Sequence, residues 1–477
     1  MTNGEAVHKP EPQVVWRVVA LTALALLARA VMLGHKGLWQ DEVFSVLFAR
    51  PGNAEFWSVL KTAEMNMALY YLVLREWMKF FTSDAAVRAL SVIPGVLTVP
   101  VVYALGARLY SRRVGMWAAG LLAVNACAVV YSQEARGYSM LVLFTTLSCW
   151  AFLRVVERSA GLDWTLYVIF TICAFYCHFY LVFVILAQIC ALGLLPAGRV
   201  PWKGLLASWA LIAVGMIPGM RLVLLSHGAN LWWLPRPGIL EVYRTLTFLA
   251  AESGKAVGAV LAVLFLVLIG IAIAAAWKLR GRSEESFRAG FAVMGLLVPM
   301  IATMVLSVWR PLFFHRFLII CLVPFLLLAA AGLDEIRNRA WRVSFGVAVL
   351  LLSLVATEMS YLKVREDWRG AAGFTLMSPS DPVVFYIKDA AAPFAYYRER
   401  LGKPLAEGQA IPLELYPDSI KLAARYPRIW LVHFPDTKTN GPHLIQAMEG
   451  GYRLCEQAGF KGMTVSLWAR DACPSNP

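Results

Sequence analysis

Eleven apolar runs constrain this chain more than any other feature. They lie near residues 14–33, 87–108, 114–131, 138–155, 164–177, 179–195, 204–222, 257–277, 290–308, 317–333 and 342–359. A helix of about 20 apolar residues crosses a bilayer core. A water-soluble fold would have to hide all eleven runs. Of the 477 residues, 59% are hydrophobic and 16% charged, against roughly 45–50% apolar and 25% charged in soluble domains. The predicted fold class is an α-helical polytopic membrane protein of about 11 transmembrane helices, the shortest runs leaving the count between ten and thirteen.

The net charge of +14 sits in short basic clusters between the runs. A nucleic-acid surface needs its basic residues gathered on one face, so no nucleic-acid partner is expected. With a cytoplasmic N-terminus, the positive-inside rule assigns to the cytoplasm Arg112 and Arg113, Arg154 and Arg158, Arg199 and Lys203, Lys278 through Arg288, and Arg337 through Arg342. The expected organisation is a cytoplasmic head over 1–13 without a signal-cleavage site, a membrane domain over 14–359, and an extracytoplasmic tail over 360–477. Residues 66–81 (NMALYYLVLREWMKFF) carry Arg75, Glu76 and Lys79 inside an apolar run. That pattern predicts a juxtamembrane helix lying along the surface. In the tail, strand-like PVVFYI, RIWLVHF and MTVSLWA alternate with helix-like AAPFAYYRERLG and HLIQAMEGGYRLCEQ, which suggests a small α/β domain.

Ionisable side chains next to lipid cost several kcal/mol unless they have a purpose. Here they collect in the loops of one face. Asp41 and Glu42 (GLWQDEVF), Glu64 and Asn66 lie in the first outer loop. Glu134 and Arg136 (YSQEARGY) lie in the second, His178 (YCHFY) in the third, Arg236 (WWLPRPG) in the fourth, and His315 with Arg316 (FFHRF) in the fifth. Tyr131, Glu134 and Tyr138 are expected on one helical face. Trp232 and Trp233 read as an interfacial belt. Each residue has a plainer reading, as a solvated turn, a local ion pair, a structural histidine or a headgroup anchor. As a set they form a chemical kit: a carboxylate to act as general base, and Arg and His to hold a phosphate leaving group.

Six cysteines lie in or beside apolar runs and read as core. Cys173 and Cys177 have a spacing that suits a metal on a helix, among apolar neighbours. Cys455 and Cys473 lie in the polar tail, where an extracytoplasmic setting would allow a disulfide.

GLWQDE, NMALYYLVLREWMKFF, AAVRALSVIPGVLTVPVVYALGARLYSRRVG, YSQEARGYSMLVLF, YCHFY and HRFLIICLVPFLLLAAAGL occur in an order that resembles the GT-C glycosyltransferases of the protein mannosyltransferase-like class, namely glycosyltransferase family 39 and its bacterial relatives. The likeness is greatest to the lipopolysaccharide galacturonosyl- and aminoarabinose-type transferases. It covers residues 14–335, and VREDWRGAAGF resembles the stretch after the last span in bacterial members. It implies a polyprenyl-phosphate sugar donor, inversion by single displacement, and an extracytoplasmic site in a bacterial inner membrane. It places the catalytic Asp on Asp41, the second acid on Glu64 and a donor-phosphate ligand on Arg316. It implies no obligatory metal, while leaving room for a divalent cation, and no protein partner beyond membrane lipids, donor and a lipid or glycan acceptor. Two departures stand out. Met67 and Ala68 replace a Pro-Pro pair, and Met65 replaces a Lys after the second acid, which argues against aminoarabinose as the sugar.

The expected catalytic residues are thus Asp41, Glu42 and Glu64. The expected donor or substrate ligands are Arg316, His315, Arg136, Glu134, His178, Tyr131, Tyr138, Asn66 and Arg236. The rivals are a transporter or flippase of a lipid-linked sugar, a glycan ligase or polymerase, and a non-enzymatic envelope scaffold. A transporter is disfavoured because its ligand groups sit near the midplane between repeats, and no repeat is evident.

Overall fold

The computed structural model describes residues 11–62, 65–225, 234, 236–252, 255–279, 281–363, 365–386, 388–412, 425–434, 448–471 and 473. The chain divides into two compact units. The first comprises Met1–Leu33, Pro51–Thr82 and Ala86–Leu362; the second comprises Gly34–Arg50, Ser83–Ala85 and Lys363–Pro477.

In chain order the helices through the membrane part are α1 (Pro12–Ala30), α2 (Gln40–Ala49, in the second unit), α3 (Phe56–Thr62), α4 (Ala68–Trp77), α5 (Asp84–Leu109), α6 (Arg112–Val124), α7 (Ala126–Ser132), α8 (Tyr138–Arg158), α9 (Gly161–Cys177), α10 (Leu181–Leu192), α11 (Trp202–Leu225), α12 (Ile239–Ala251), α13 (Ala256–Lys278), α14 (Glu284–Leu306), α15 (Leu322–Glu335, led by a 3-10 turn Phe317–Cys321) and α16 (Arg339–Tyr361). Each of the eleven apolar runs is helical over most of its length. Among the described residues, eight helices are long and apolar enough to cross a membrane: α1, α5, α8, α11, α13, α14, α15 with its leading turn, and α16. The bent pair α6–α7 would be a ninth. The remaining two runs form α9 and α10, of 17 and 12 residues. At 1.5 Å per residue α10 is only about 18 Å long, short of a bilayer core.

The break between α6 and α7 is built from polar side chains. The two helices meet at 56°. Asn125 adopts extended backbone, and its Oδ1 accepts from Ala128 N at 2.9 Å, capping α7. Its Nδ2 donates to the last carbonyls of α12, Leu249 (3.0 Å) and Ala250 (3.1 Å). The carbonyls that α6 leaves open also find donors, as buried helix ends require. Arg29 of α1, fully buried, donates to Ala123 O (3.0 Å), Leu122 O (3.2 Å) and Ser132 Oγ (3.1 Å). Thr357 of α16 donates to Val124 O at 2.7 Å. Elsewhere α13 and α15 touch at Gly332, where a Cβ would lie 2.0 Å from Leu268 O. α4 is amphipathic as predicted, burying Ala68, Tyr70, Tyr71 and Leu74, although it stops at Trp77, short of the expected residue 81.

Among the described residues, the second unit holds a five-stranded sheet of order β2-β1-β3-β5-β4, formed by β1 (Val383–Phe385), β2 (Ala410–Pro412), β3 (Arg428–His433), β4 (Arg453–Phe460) and β5 (Met463–Ala469). β1 pairs in parallel with β2 and β3; β5 pairs antiparallel with β3 and β4. One face packs Val384, Ile411, Ile429, Leu431, Met448 and Trp468. On the other, Phe374 of α17 (Trp368–Phe374) meets Trp430, and Phe394 of α18 (Ala391–Arg400) meets Phe385. The three strand-like segments and the helix at 391–400 lie where the sequence put them. The second helix-like stretch does not: its RLCEQ portion is edge strand β4. The strand's mixed exposure leaves no continuous apolar signal, and its pairing with β5 decides its state. Cys455 and Cys473 are joined as a disulfide, Cα atoms 5.3 Å apart.

Candidate active site

Within the first unit, three of the polar loop motifs meet. YSQEARGY does not form one helical face, because α7 ends at Ser132 and α8 starts at Tyr138. Glu134 and Arg136 therefore stand in the turn between them, Arg136 N donating to Glu134 O at 2.7 Å. The turn sits close on α4. A Cβ on Gly137 would lie 3.1 Å from Tyr70 Cβ, and Arg136 Nη1 donates to Tyr71 OH at 3.2 Å. Tyr131 and Tyr138 still touch, edge to face at 5.1 Å.

From there the rings run in a closed circuit. Tyr138 lies 6.3 Å from His178, His178 4.9 Å from Phe317, and Phe317 5.1 Å from Phe314. Phe314 lies 4.5 Å from His315, His315 5.3 Å from Phe248 of α12, and Phe248 5.4 Å from Tyr131. Each contact is within the range in which aromatic pairs attract. The circuit binds together the α7–α8 turn, the end of α9, the loop before α15, and α12. It carries Glu134, Arg136, His315 and Arg316 with it. Asn66 joins from the turn before α4, its Oδ1 accepting from Phe179 N at 3.0 Å.

His178 ends α9 and is buried. Its Nδ1 accepts the backbone N–H of Tyr180 at 3.2 Å, so in the neutral ring the proton belongs on Nε2. Burial, and then the nearby Arg136 charge, push its pKa down to about 3. The imidazole is therefore neutral at ordinary pH, and its buried Nε2–H has no hydrogen-bond partner among the described residues. His178 thus offers a donor rather than the cation expected of a phosphate ligand. Tyr180, whose hydroxyl donates to Leu312 O, ties this loop to the one before α15.

Two acids of this neighbourhood escaped the sequence reading. Glu241, nearly buried on α12, pairs with Arg244 and has its Oε2 3.8 Å from His315 Nδ1. Glu252 follows α12 with a left-handed backbone, φ 54°. Burial and Arg316 lower the His315 pKa, while Glu241 and Glu252 oppose them. A signal for Glu241 did exist: Glu241, Thr245 and Phe248 recur at helical spacing in a segment read only as outer loop. Arg236 is exposed ahead of α12 and outside the ring circuit. Glu64, Trp232 and Trp233 lie outside the described residues. Cys173 and Cys177 belong to α9, and among the described residues no three His, Cys, Asp or Glu side chains gather as metal ligands.

Asp41 and Glu42 belong to the second unit, on the first turn of α2. Asp41 is partly exposed. Glu42 is fully buried, and its Oε2 accepts Trp39 N at 3.1 Å. The pair is therefore not two equivalent catalytic acids: Glu42 closes a helix cap.

Residues 67–226 match the dolichyl-phosphate-mannose-protein mannosyltransferase family. No curated protein matches the chain. Among solved structures, apo ArnT from Cupriavidus metallidurans is 14% identical with a TM-score of 0.57, over 96% of this chain and 98% of that one. The same protein bound to undecaprenyl phosphate gives 14% and 0.58, over 95% and 98%. The apo oligosaccharyltransferase of Archaeoglobus fulgidus gives 10% and 0.57, over 95% and 75%. At such identities the likeness is one of fold. This multi-pass membrane protein thus has the GT-C fold that its sequence resemblance implied, and its residues 67–226 are similar to the dolichyl-phosphate-mannose-protein mannosyltransferase family.

Proposed function

We propose that the protein is a membrane glycosyltransferase that moves a single sugar from a polyprenyl-phosphate donor to a hydroxyl of an envelope acceptor. The acceptor is lipid A, lipopolysaccharide core, another glycan or a protein, on the periplasmic face of a bacterial inner membrane. One observation carries the reading: the ring circuit joins three separate loops through His178 and His315, and the same loops carry Glu134, Arg136 and Arg316 beside them. The fold supports it. The structures of this fold include ArnT with undecaprenyl phosphate and the Archaeoglobus fulgidus enzyme with a dolichol-phosphate.

In this reading Arg316 and Arg136 hold the donor phosphate by charge-assisted hydrogen bonds, and the neutral His178 Nε2–H adds a donor. Asp41 takes the proton of the acceptor hydroxyl as its oxygen attacks the anomeric carbon. The bond to the phosphate oxygen breaks with its electron pair, and the growing phosphate charge is met by the guanidinium groups. The sugar is inverted in one displacement. Glu134 or Glu64 orients the sugar or acceptor. No cofactor is required, and a divalent ion beside the carboxylates would be compatible.

The test is mass spectrometry of envelope glycolipids from cells with and without the gene, and with Asp41→Asn or Arg316→Ala. A glycolipid present only with the intact gene and lost in both variants supports transfer. A lipid-linked sugar that is translocated without any new covalent product would instead make the protein a flippase.

A further inference from the structure

The second unit holds the backbone that carries Asp41 from both sides. Ahead of α2, Lys36 Nζ donates to Lys363 O at 2.7 Å. A Cβ on Gly37 would lie 3.2 Å from the Tyr397 hydroxyl and 3.3 Å from Arg369 Cβ, so the chain passes tight against both. Leu38 N donates to the Tyr397 hydroxyl at 2.5 Å. The Arg365 guanidinium covers the Trp39 ring at 4.2 Å. Gln40 N, the backbone group directly before Asp41, donates to Glu366 Oε2 at 3.0 Å. At the far end of α2, Arg50 grips Glu399 through both guanidinium nitrogens at 3.2–3.3 Å.

Two of these partners, Tyr397 and Arg369, meet again at Asp84. Its carboxylate is nearly buried and accepts from Tyr397 OH at 2.7 Å and Arg369 Nη2 at 2.6 Å, with Arg400 at 3.8 Å. Burial and then Asp84 push the Tyr397 phenol up. It therefore keeps its proton, donating to Asp84 while accepting from Leu38. Three residues of VREDWRGAAGF (Arg365, Glu366 and Arg369) thus act on the GLWQDE segment, more than 300 positions away in sequence.

We infer that the C-terminal unit is a positioning device for Asp41, with Glu366 and the Arg369–Asp84–Tyr397 cluster fixing the first turn of α2. The inference rests on Asp41 being the base of the proposed transfer. A catalytic group must be held closely, because a displacement of about 1 Å costs on the order of 100-fold in rate. A loop held only by its own short helix does not supply that rigidity; the half-buried Arg369–Asp84 ion pair and the backbone hydrogen bonds do.

The experiment compares Arg369→Ala, Arg369→Lys and Glu366→Ala with Asp41→Asn in the full-length chain in membranes. It measures glycolipid product per unit of protein and the thermal shift on adding undecaprenyl phosphate. Arg369→Ala is expected to lower turnover about 10- to 100-fold while the undecaprenyl phosphate shift is kept, and Arg369→Lys to restore part of the turnover. Wild-type turnover from both alanine variants beside an inactive Asp41→Asn overturns the positioning role. So does parallel loss of turnover and undecaprenyl phosphate shift, which would mean general support of the fold. Full turnover by Asp41→Asn removes the base assignment itself, and this inference with it.

Discussion

Glu42 Oε2 accepts the backbone N–H of Trp39 at 3.1 Å, closing the first turn of α2. Two adjacent acids therefore have separable roles. Losing a helix cap costs about 0.5–2 kcal/mol. Glu42→Ala is expected to lower the unfolding temperature while leaving measurable transfer. Asp41→Asn is expected to abolish transfer at unchanged melting temperature. Thermal unfolding and glycolipid product, measured on the same preparations, separate the two; identical profiles for both variants would contradict the division.

His178 predicts a pH dependence of stability. Its folded pKa, about 3, lies below the ordinary value of 6.5. Between those values the unfolded chain binds a proton that the folded chain does not, so stability rises with pH across that window. As pH falls from 6.5 toward 3, His178 removes at most about 1.4 kcal/mol per pH unit. His315, also lowered by burial and Arg316, acts in the same sense. Melting temperatures of detergent-solubilised protein between pH 4 and 8 should fall on the acid side, less steeply for His178→Asn. An unchanged slope in that variant would count against a buried neutral imidazole.

Arg316 stands at the head of the 3-10 turn that leads into α15. A hydrogen bond to a charged group is worth about 1.5–3 kcal/mol, which corresponds to roughly 10- to 150-fold in affinity. Arg316→Ala should weaken undecaprenyl phosphate binding by that factor, and Arg316→Lys by less, since Lys keeps the charge and loses the fork. Titration by intrinsic tryptophan fluorescence reads this directly. Unchanged affinity in Arg316→Ala would remove it as a phosphate ligand.

Cys455 and Cys473 close a loop with a sequence separation of 18. Loop-closure entropy for such a span is about 3 kcal/mol. Cys455→Ser, or treatment of the native protein with a reductant, should speed protease cleavage of the C-terminal unit in the full-length chain. Equal cleavage rates with and without reductant would show that the bond adds nothing to the unit's stability.

The eleven apolar runs were legible in the sequence because lipid demands long apolar helices whatever they pack against. The strands at 383–385, 428–433 and 463–469 were legible because buried strands need short apolar, β-branched runs. Tyr131, Tyr138, His178 and His315 were legible as aromatic or ionisable residues at the ends of such helices, and the structure joins them in one ring circuit. Five features were decided only by tertiary structure. Arg29 and Asn125 sit inside apolar runs, and their purpose shows only where they meet the carbonyls freed by the α6–α7 break and the last carbonyls of α12. Glu241 gained its place through His315, distant in sequence. RLCEQ became a strand because β5 offered an edge. Glu42 and Asp41, indistinguishable as neighbours in a string, parted because one carboxylate turns back onto its own backbone, and α2 joined the C-terminal unit through Glu366 and Glu399. Local sequence sets the cost of exposing each segment to water or lipid. Which distant hydrogen-bond partner satisfies a buried polar group depends on the fold.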